Sequence, residues 1–186
     1  MRLTSIRHII TVLTHKYWVH KYARKFKIGK YTLLHDLSKF SPVEFNESIH
    51  YYSGIKSPID NCKQIQGYSN AWLHHKGHNK HHWEYWVDFV DCKPVAINMP
   101  TRYKLEMLCD FFAAATVYSK STCTFSMEYA WWQNKRNSVI MHPETLSFID
   151  NILEFTSECF GDISISQADN NIWKIIYNKA LEYLKH

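Results

Sequence analysis

Apolar residues recur along this chain mostly at three- and four-residue steps, the spacing of helices with one inward face. Residues 2–26 read as one long amphipathic helix, with His8, Val12, His15, Val19 and Tyr22 on one stripe and basic residues over much of the remaining surface. Gly29 is a stop signal just beyond it. Ser41-Pro-Val-Glu44 supplies the next start: Ser as N-cap, Pro at the first helical position, Glu three after the cap. That helix is expected to reach Tyr52, ahead of Gly54 and Pro58. A helix over 60–76 with a break near Gly77 comes next, then a helical turn over 81–90. Pro94 and Asn98-Met-Pro100 mark a loop, and residues 101–119 form the most uniformly apolar helix. A short helix is expected over 124–136, another opens at His142-Pro-Glu-Thr145, and the last covers 167–185 with Ile172, Ile175, Ile176, Ala180 and Leu184 inside. Little of the chain reads as strand. The expected fold is all-α, one helical domain over 1–186.

Composition supports a packed core: 46% of residues are hydrophobic, including seven Trp, twelve Tyr and ten Phe. Five Gly and five Pro leave little material for long loops. Cys62, Cys92, Cys109, Cys123 and Cys159 form no C-x-x-C pair, which argues against a zinc ribbon or a thiol-redox motif. No apolar run is long enough to span a membrane and no leader-like stretch opens the chain, so a reducing cytoplasm without a membrane partner is the expected setting. Residues 1–39 hold nine Lys or Arg against one acid, Asp36. A solvated basic face and attraction of a phosphorylated partner explain this equally well, and the excess is too small to support nucleic-acid binding.

Candidate chemistry centres on residues 72–86, where five of the twelve histidines, His74, His75, His78, His81 and His82, fall within nine residues between Trp72 and Trp83. Each buried imidazole needs partners for both nitrogens, so a packed core has little use for such density. A metal site does, because neutral imidazole is the commonest ligand for transition ions. A solvated His/Lys loop is the competing reading. Elsewhere, His15 sits on the apolar side of the first helix, His35 and Asp36 are adjacent in a short apolar segment, and Glu106 and Asp110 share one face of the most apolar helix. Acids on an inner face are costly unless paired or bound to a cation.

In chain order the candidate ligands are His15, His35, Asp36, histidines of the 74–82 cluster, and Asp110. This order resembles the HD-domain superfamily of helical metalloproteins, and Leu33-Leu-His-Asp-Leu-Ser-Lys39 resembles its Leu-x-His-Asp-x-Gly-Lys element, with Ser38 in place of the glycine. The chain also resembles a family of small uncharacterised helical proteins of bacteria and viruses through His35-Asp-Leu-Ser-Lys39, Phe40-Ser-Pro-x-Glu-Phe45, Trp72-Leu-His-His75, Asn79-x-His-His-Trp-x-Tyr-Trp86, Met99-Pro100, Glu106-Met-x-x-Asp110 and His142-Pro-Glu-Thr145. The first resemblance implies an HD-like bundle around a metal site, with Lys39 pointing toward a bound phosphate. The second implies no reaction.

An Asp beside a His lets one carboxylate bridge two ions while the imidazole ligates one of them. One histidine from each doublet suffices; His75 and His82 are taken, with the choice inside each doublet open. Then His15, His35, Asp36, His75, His82 and Asp110 are six ligands for two ions of Fe, Mn, Co, Ni or Zn. His74 and His81 are outer-sphere or alternate ligands, and Asn79 caps the turn. Glu106 either orients a ligating histidine or serves as a base for water. The leading expectation is a metal-dependent hydrolase of a phosphate ester or nucleotide, with Lys39 and Glu106 as its catalytic residues. An HD-type di-iron oxygenase and a non-catalytic, metal-stabilised binding protein are the alternatives. No signal for an oligomeric state is present.

Overall fold

A computed structural model describes residues 2–185 and shows one helical domain. Its helices are α1 (Arg2–Lys25), α2 (Pro42–Tyr51), α3 (Pro58–Gln66), α4 (Asn70–His78), α5 (Thr101–Tyr118), α6 (Phe125–Lys135), α7 (Pro143–Phe160) and α8 (Asn170–Tyr183). A small antiparallel hairpin, β1 (Val87–Val90) and β2 (Lys93–Ala96), lies between α4 and α5.

The long helices α1 and α5 lie against each other and form the spine. His8, Val12, His15, Val19 and Tyr22 are all buried along α1, as their spacing requires. On the far side of the spine Trp173 of α8 is ringed by Tyr22, Phe26, Phe112 and Phe125, its ring 4.8 Å from that of Tyr22 and 5.6 Å from that of Phe112. α6 and α7 close this half. The Tyr22 and Thr116 hydroxyls meet at 2.8 Å inside it, so the buried polar atoms there are paired. On the near side α2, α3 and α4 make a second, smaller layer, and the candidate ligands collect between that layer and the spine.

Several local expectations change. The helix expected over 60–76 is two helices, because Gly67 adopts φ +84° as the left-handed cap of α3 and Ser69 then caps α4. The break expected near Gly77 is present, since α4 ends at His78 with Asn79 as its cap. The helical turn expected over 81–90 is only a 3-10 turn, Trp83–Trp86, before the chain becomes β1. The hairpin turns through Asp91 and Cys92, both at positive φ, the geometry that most often carries Asn-Gly or Asp-Gly. Without that glycine the sequence offers no hairpin signal. α8 starts at Asn170, and Ile175 faces solvent while Trp173 takes the inward place.

Glu47 of α2 fastens the smaller layer. Its carboxylate accepts from the Ser69 hydroxyl at 2.5 Å, the Ala71 amide at 3.1 Å and the Asn70 amide at 3.0 Å, and so caps the helix that carries His75. Replacing Glu47 by Ala leaves those donors to water and is expected to cost about 1–2 kcal/mol. A urea unfolding curve checks this; an unchanged midpoint would show that the cap is redundant.

Candidate metal centre

Four parts of the chain deliver the site. α1 brings His15, and α5 brings Glu106 and Asp110 one turn apart. His35 and Asp36 sit in a tight turn between two 3-10 segments, Gly29–Tyr31 and Leu37–Phe40. Asp36 adopts φ +56°, a left-handed conformation that Asp tolerates better than most residues, and the pair is buried. α4 brings His75, then ends at Asn79, whose side-chain amide donates to the His75 carbonyl at 2.8 Å and the Ser38 hydroxyl at 2.7 Å. His81 and His82 follow directly in the loop.

Asp36 stands at the middle. Its Oδ1 lies 3.3 Å from His75 Nε2 and 3.4 Å from His81 Nε2. Its Oδ2 lies 3.4 Å from His35 Nε2, 3.7 Å from His15 Nε2 and 2.6 Å from Lys39 Nζ. Asp110 Oδ1 is 2.8 Å from His15 Nε2 and 3.6 Å from His35 Nε2, while its Oδ2 is 4.0 Å from His81 Nε2. Two ligand groups result: Asp36, His75, His81 and His82 in one, His15, His35, Asp36 and Asp110 in the other, with all donor atoms of a group within 4.8 Å of one another. Asp36 belongs to both. A third group joins His35, His81 and Glu106.

The donor atoms fit a cation. His15 Nε2, His35 Nε2, His81 Nε2, His82 Nε2 and Asp36 Oδ1 are buried without a hydrogen-bond partner, His15 Nε2 being close to Asp110 but out of line with it. Unpaired buried polar atoms each carry a desolvation penalty of about 1–3 kcal/mol, which a metal ion removes. Other ring nitrogens are tied down from behind: His35 Nδ1 to Glu106 Oε1 at 3.0 Å, and His75 Nδ1 to Glu44 Oε2 at 2.7 Å. An Nδ1–H donated to a carboxylate leaves the Nε2 lone pair free for a metal and fixes the ring's orientation. The buried His/Asp/Glu groups can therefore hold metal ions.

Charge balance follows from this packing. Burial works against ionised Asp36, but the charges of His35 and Lys39 hold its carboxyl well below the usual range. Burial works against ionised Asp110 as well, but the imidazoles of His15 and His35 beside it hold its carboxyl well below the usual range. Burial pushes His35 down, yet Asp36, Asp110 and Glu106 together lift it to about 10. His75 is raised in the same way by Asp36 and Glu44 against burial. His82 is pushed well down by burial and the neighbouring imidazoles, and His15 down by burial and Lys39.

The structure thus brings His15, His35, Asp36, His75, His82 and Asp110 together, and His81 with them. His74 stays outside, its Nδ1 2.7 Å from Glu44 Oε1 and its ring stacked on His78. Glu106 stands behind His35 and 3.7 Å from His81 Nδ1. Lys39 and Asp110, with side chains 24% and 14% exposed, mark the open side. Glu44 was missed: its spacing after Ser41 reads as a capping box, and the Ser41 hydroxyl does accept from the Glu44 amide, but the carboxylate turns inward to two imidazoles. Two surface clefts, near Trp83 and Phe89 and near Pro100 and Tyr183, include none of these ligands.

Protonation of the metal-free site sets a pH signature. A raised histidine stabilises the fold fully below the unfolded value of about 6.5 and loses that contribution as pH rises through its folded value. Metal-free protein is therefore expected to lose stability from about pH 6.5 toward the His35 value of about 10, and metal-loaded protein to lose less, because ligation requires the deprotonated ring. Thermal melts across that range, with and without Zn2+, check both; parallel curves would mean that no ion displaces the His35 proton.

Comparison with known proteins gives a family and no function. No curated protein and no solved structure matches the chain. A family model matches residues 4–155, a stretch that includes every side chain of the candidate metal centre. The chain belongs to the family of unknown function DUF5662.

Proposed function

We propose that this protein is a dinuclear metal hydrolase of the HD type, acting on a phosphate ester or nucleotide. The observation that carries the proposal is Asp36, a buried carboxylate that offers one oxygen to each of two histidine-containing ligand groups. The chain order of His15, His35, Asp36, the histidine cluster and Asp110 is similar to that of HD enzymes and supports it. A mixed imidazole and carboxylate set suits Fe, Mn, Co, Ni or Zn. Bound ions of this kind lower the pKa of coordinated water and draw charge from phosphoryl oxygens.

The chain's own groups take complementary parts. Lys39 holds its ammonium 2.6 Å from Asp36 at the open side, where it can neutralise an arriving phosphate. Its own proton is firmly retained, since Asp36 outweighs burial and raises it, so Lys39 acts as a charge and not as a base. Glu106 and Glu44 orient His35 and His75 through their Nδ1 atoms. Of the two roles open to Glu106, orientation fits its placement behind the ring. Ser38 and Asn79 hold the end of α4 so that His75 keeps its direction.

The test strips the protein with chelator, reloads it with Mn2+, Co2+, Zn2+ or Fe2+, and measures hydrolysis of nucleoside phosphates and aryl phosphate esters. About two ions per chain and turnover of at least one ester class are expected. Asp36→Asn should lose metal and activity together, whereas Lys39→Ala should keep metal and lose roughly 100-fold in kcat/KM. Metal retention without hydrolysis of any ester would overturn the reading, and bound iron with oxygen consumption would move the protein to the oxidative branch.

A further inference from the structure

Helix α1 has two apolar stripes on opposite faces. The inward one, from His8 through Tyr22, packs on the core. The outward one is Leu3, Ile6, Ile10, Leu13 and Tyr17, each between 51% and 61% exposed. At 3.6 residues per turn the two lie roughly half a turn apart, so burying one exposes the other. The outward residues follow alternating three- and four-residue steps, the a/d repeat by which one helix seats its side chains in the holes of another. His20 and Arg24 continue the register and end the apolar run. Five large apolar side chains in one exposed line are a surface waiting to be covered.

Charge says what covers it. α1 carries six Lys or Arg and no Asp or Glu. In the heptad frame set by Leu3 and Ile6, Arg7 and Lys21 fall at e and Lys16 at g, the positions that decide partner choice. A second copy would set cations beside cations along the seam. A lipid surface calls for a broad apolar arc, whereas this stripe is widened on one side by the half-buried Ile9 and bordered by Thr11 and Thr14. A helix with an apolar seam edged by carboxylates matches both the spacing and the charge. The seam points away from His15, so docking there leaves the metal centre uncovered.

We propose that the outward face of α1 is a docking surface for a partner helix whose apolar a/d seam is flanked by Asp and Glu. The probe is a labelled synthetic peptide of four heptads with Leu at a and d and Glu at e and g, titrated with the full chain in fluorescence anisotropy. The acidic peptide is expected to bind about tenfold or more tightly than its counterpart with Lys at e and g. Ile10→Asp should weaken binding by about tenfold or more, and Arg7→Glu with Lys16→Glu should reverse the preference toward the Lys peptide. These positions are on the surface, and circular dichroism with thermal melts verifies that each variant folds. Binding of neither peptide, or of both alike, overturns the proposal. Self-association abolished by Ile10→Asp would assign the seam to a second copy. Sedimentation with phosphatidylcholine–phosphatidylglycerol vesicles that depends on Ile10 would assign it to lipid. Either result overturns the proposal as well.

Discussion

Asp36 is a carboxylate taken almost wholly out of water and set among His15, His35, His75, His81 and Lys39. A buried charge of this kind costs several kcal/mol unless its neighbours return that energy. The arrangement around it is therefore constrained: its oxygens face nitrogens supplied by α1, by its own turn and by the α4 end, and the rings of His35 and His75 are held from behind by Glu106 and Glu44. Asp36 takes the left-handed backbone conformation that Asp tolerates better than most residues, and its carboxylate is buried. Three buried carboxylates, Asp36, Glu44 and Glu106, and the partly open Asp110 surround imidazoles whose free nitrogens remain unpaired. That excess of acceptors and lone pairs is stable only with cations, whether protons on His35 and His75 or metal ions.

The fold serves this arrangement by separating two tasks. The aromatic half, with Trp173 enclosed by Tyr22, Phe26, Phe112 and Phe125, is buried and largely apolar, and α1 and α5 lie side by side against it. His15 and Asp110 inherit their spacing from that spine. The smaller layer is held by polar contacts, chiefly Glu47 on the start of α4 and Asn79 on its end. The candidate ligands from the α4 end thus rest on capping bonds and those from the spine on apolar packing. Capping bonds are worth less than core contacts, so the layer with His75, His81 and His82 is the more adaptable part.

How much was legible varied with the physical range of the signal. The inward stripe of α1, the Ser41 start of α2 and the uniformly apolar α5 were readable because each depends on neighbours within a turn or two. Glu44 was visible only as a capping residue, since its bonds to His74 and His75 cross thirty residues of chain. The outward stripe of α1 is masked by the inward one, because a helix apolar on two faces gives little amphipathic contrast. The hairpin was hidden by Asp91-Cys92, a turn without its usual glycine.

What the sequence alone determined is the mainly helical architecture and the inventory of candidate ligand types: a helical histidine, a His-Asp pair, a histidine cluster and a late aspartate. Helical period and residue chemistry are local, and both are written in the order of residues. Only the tertiary structure decided that Asp36 is the shared centre, that His81 joins His82 beside it while His74 turns away to Glu44, and that α1 leaves a second apolar face uncovered. Those facts depend on which surfaces meet when α4 closes on the α1–α5 spine, and no spacing along the chain encodes that meeting.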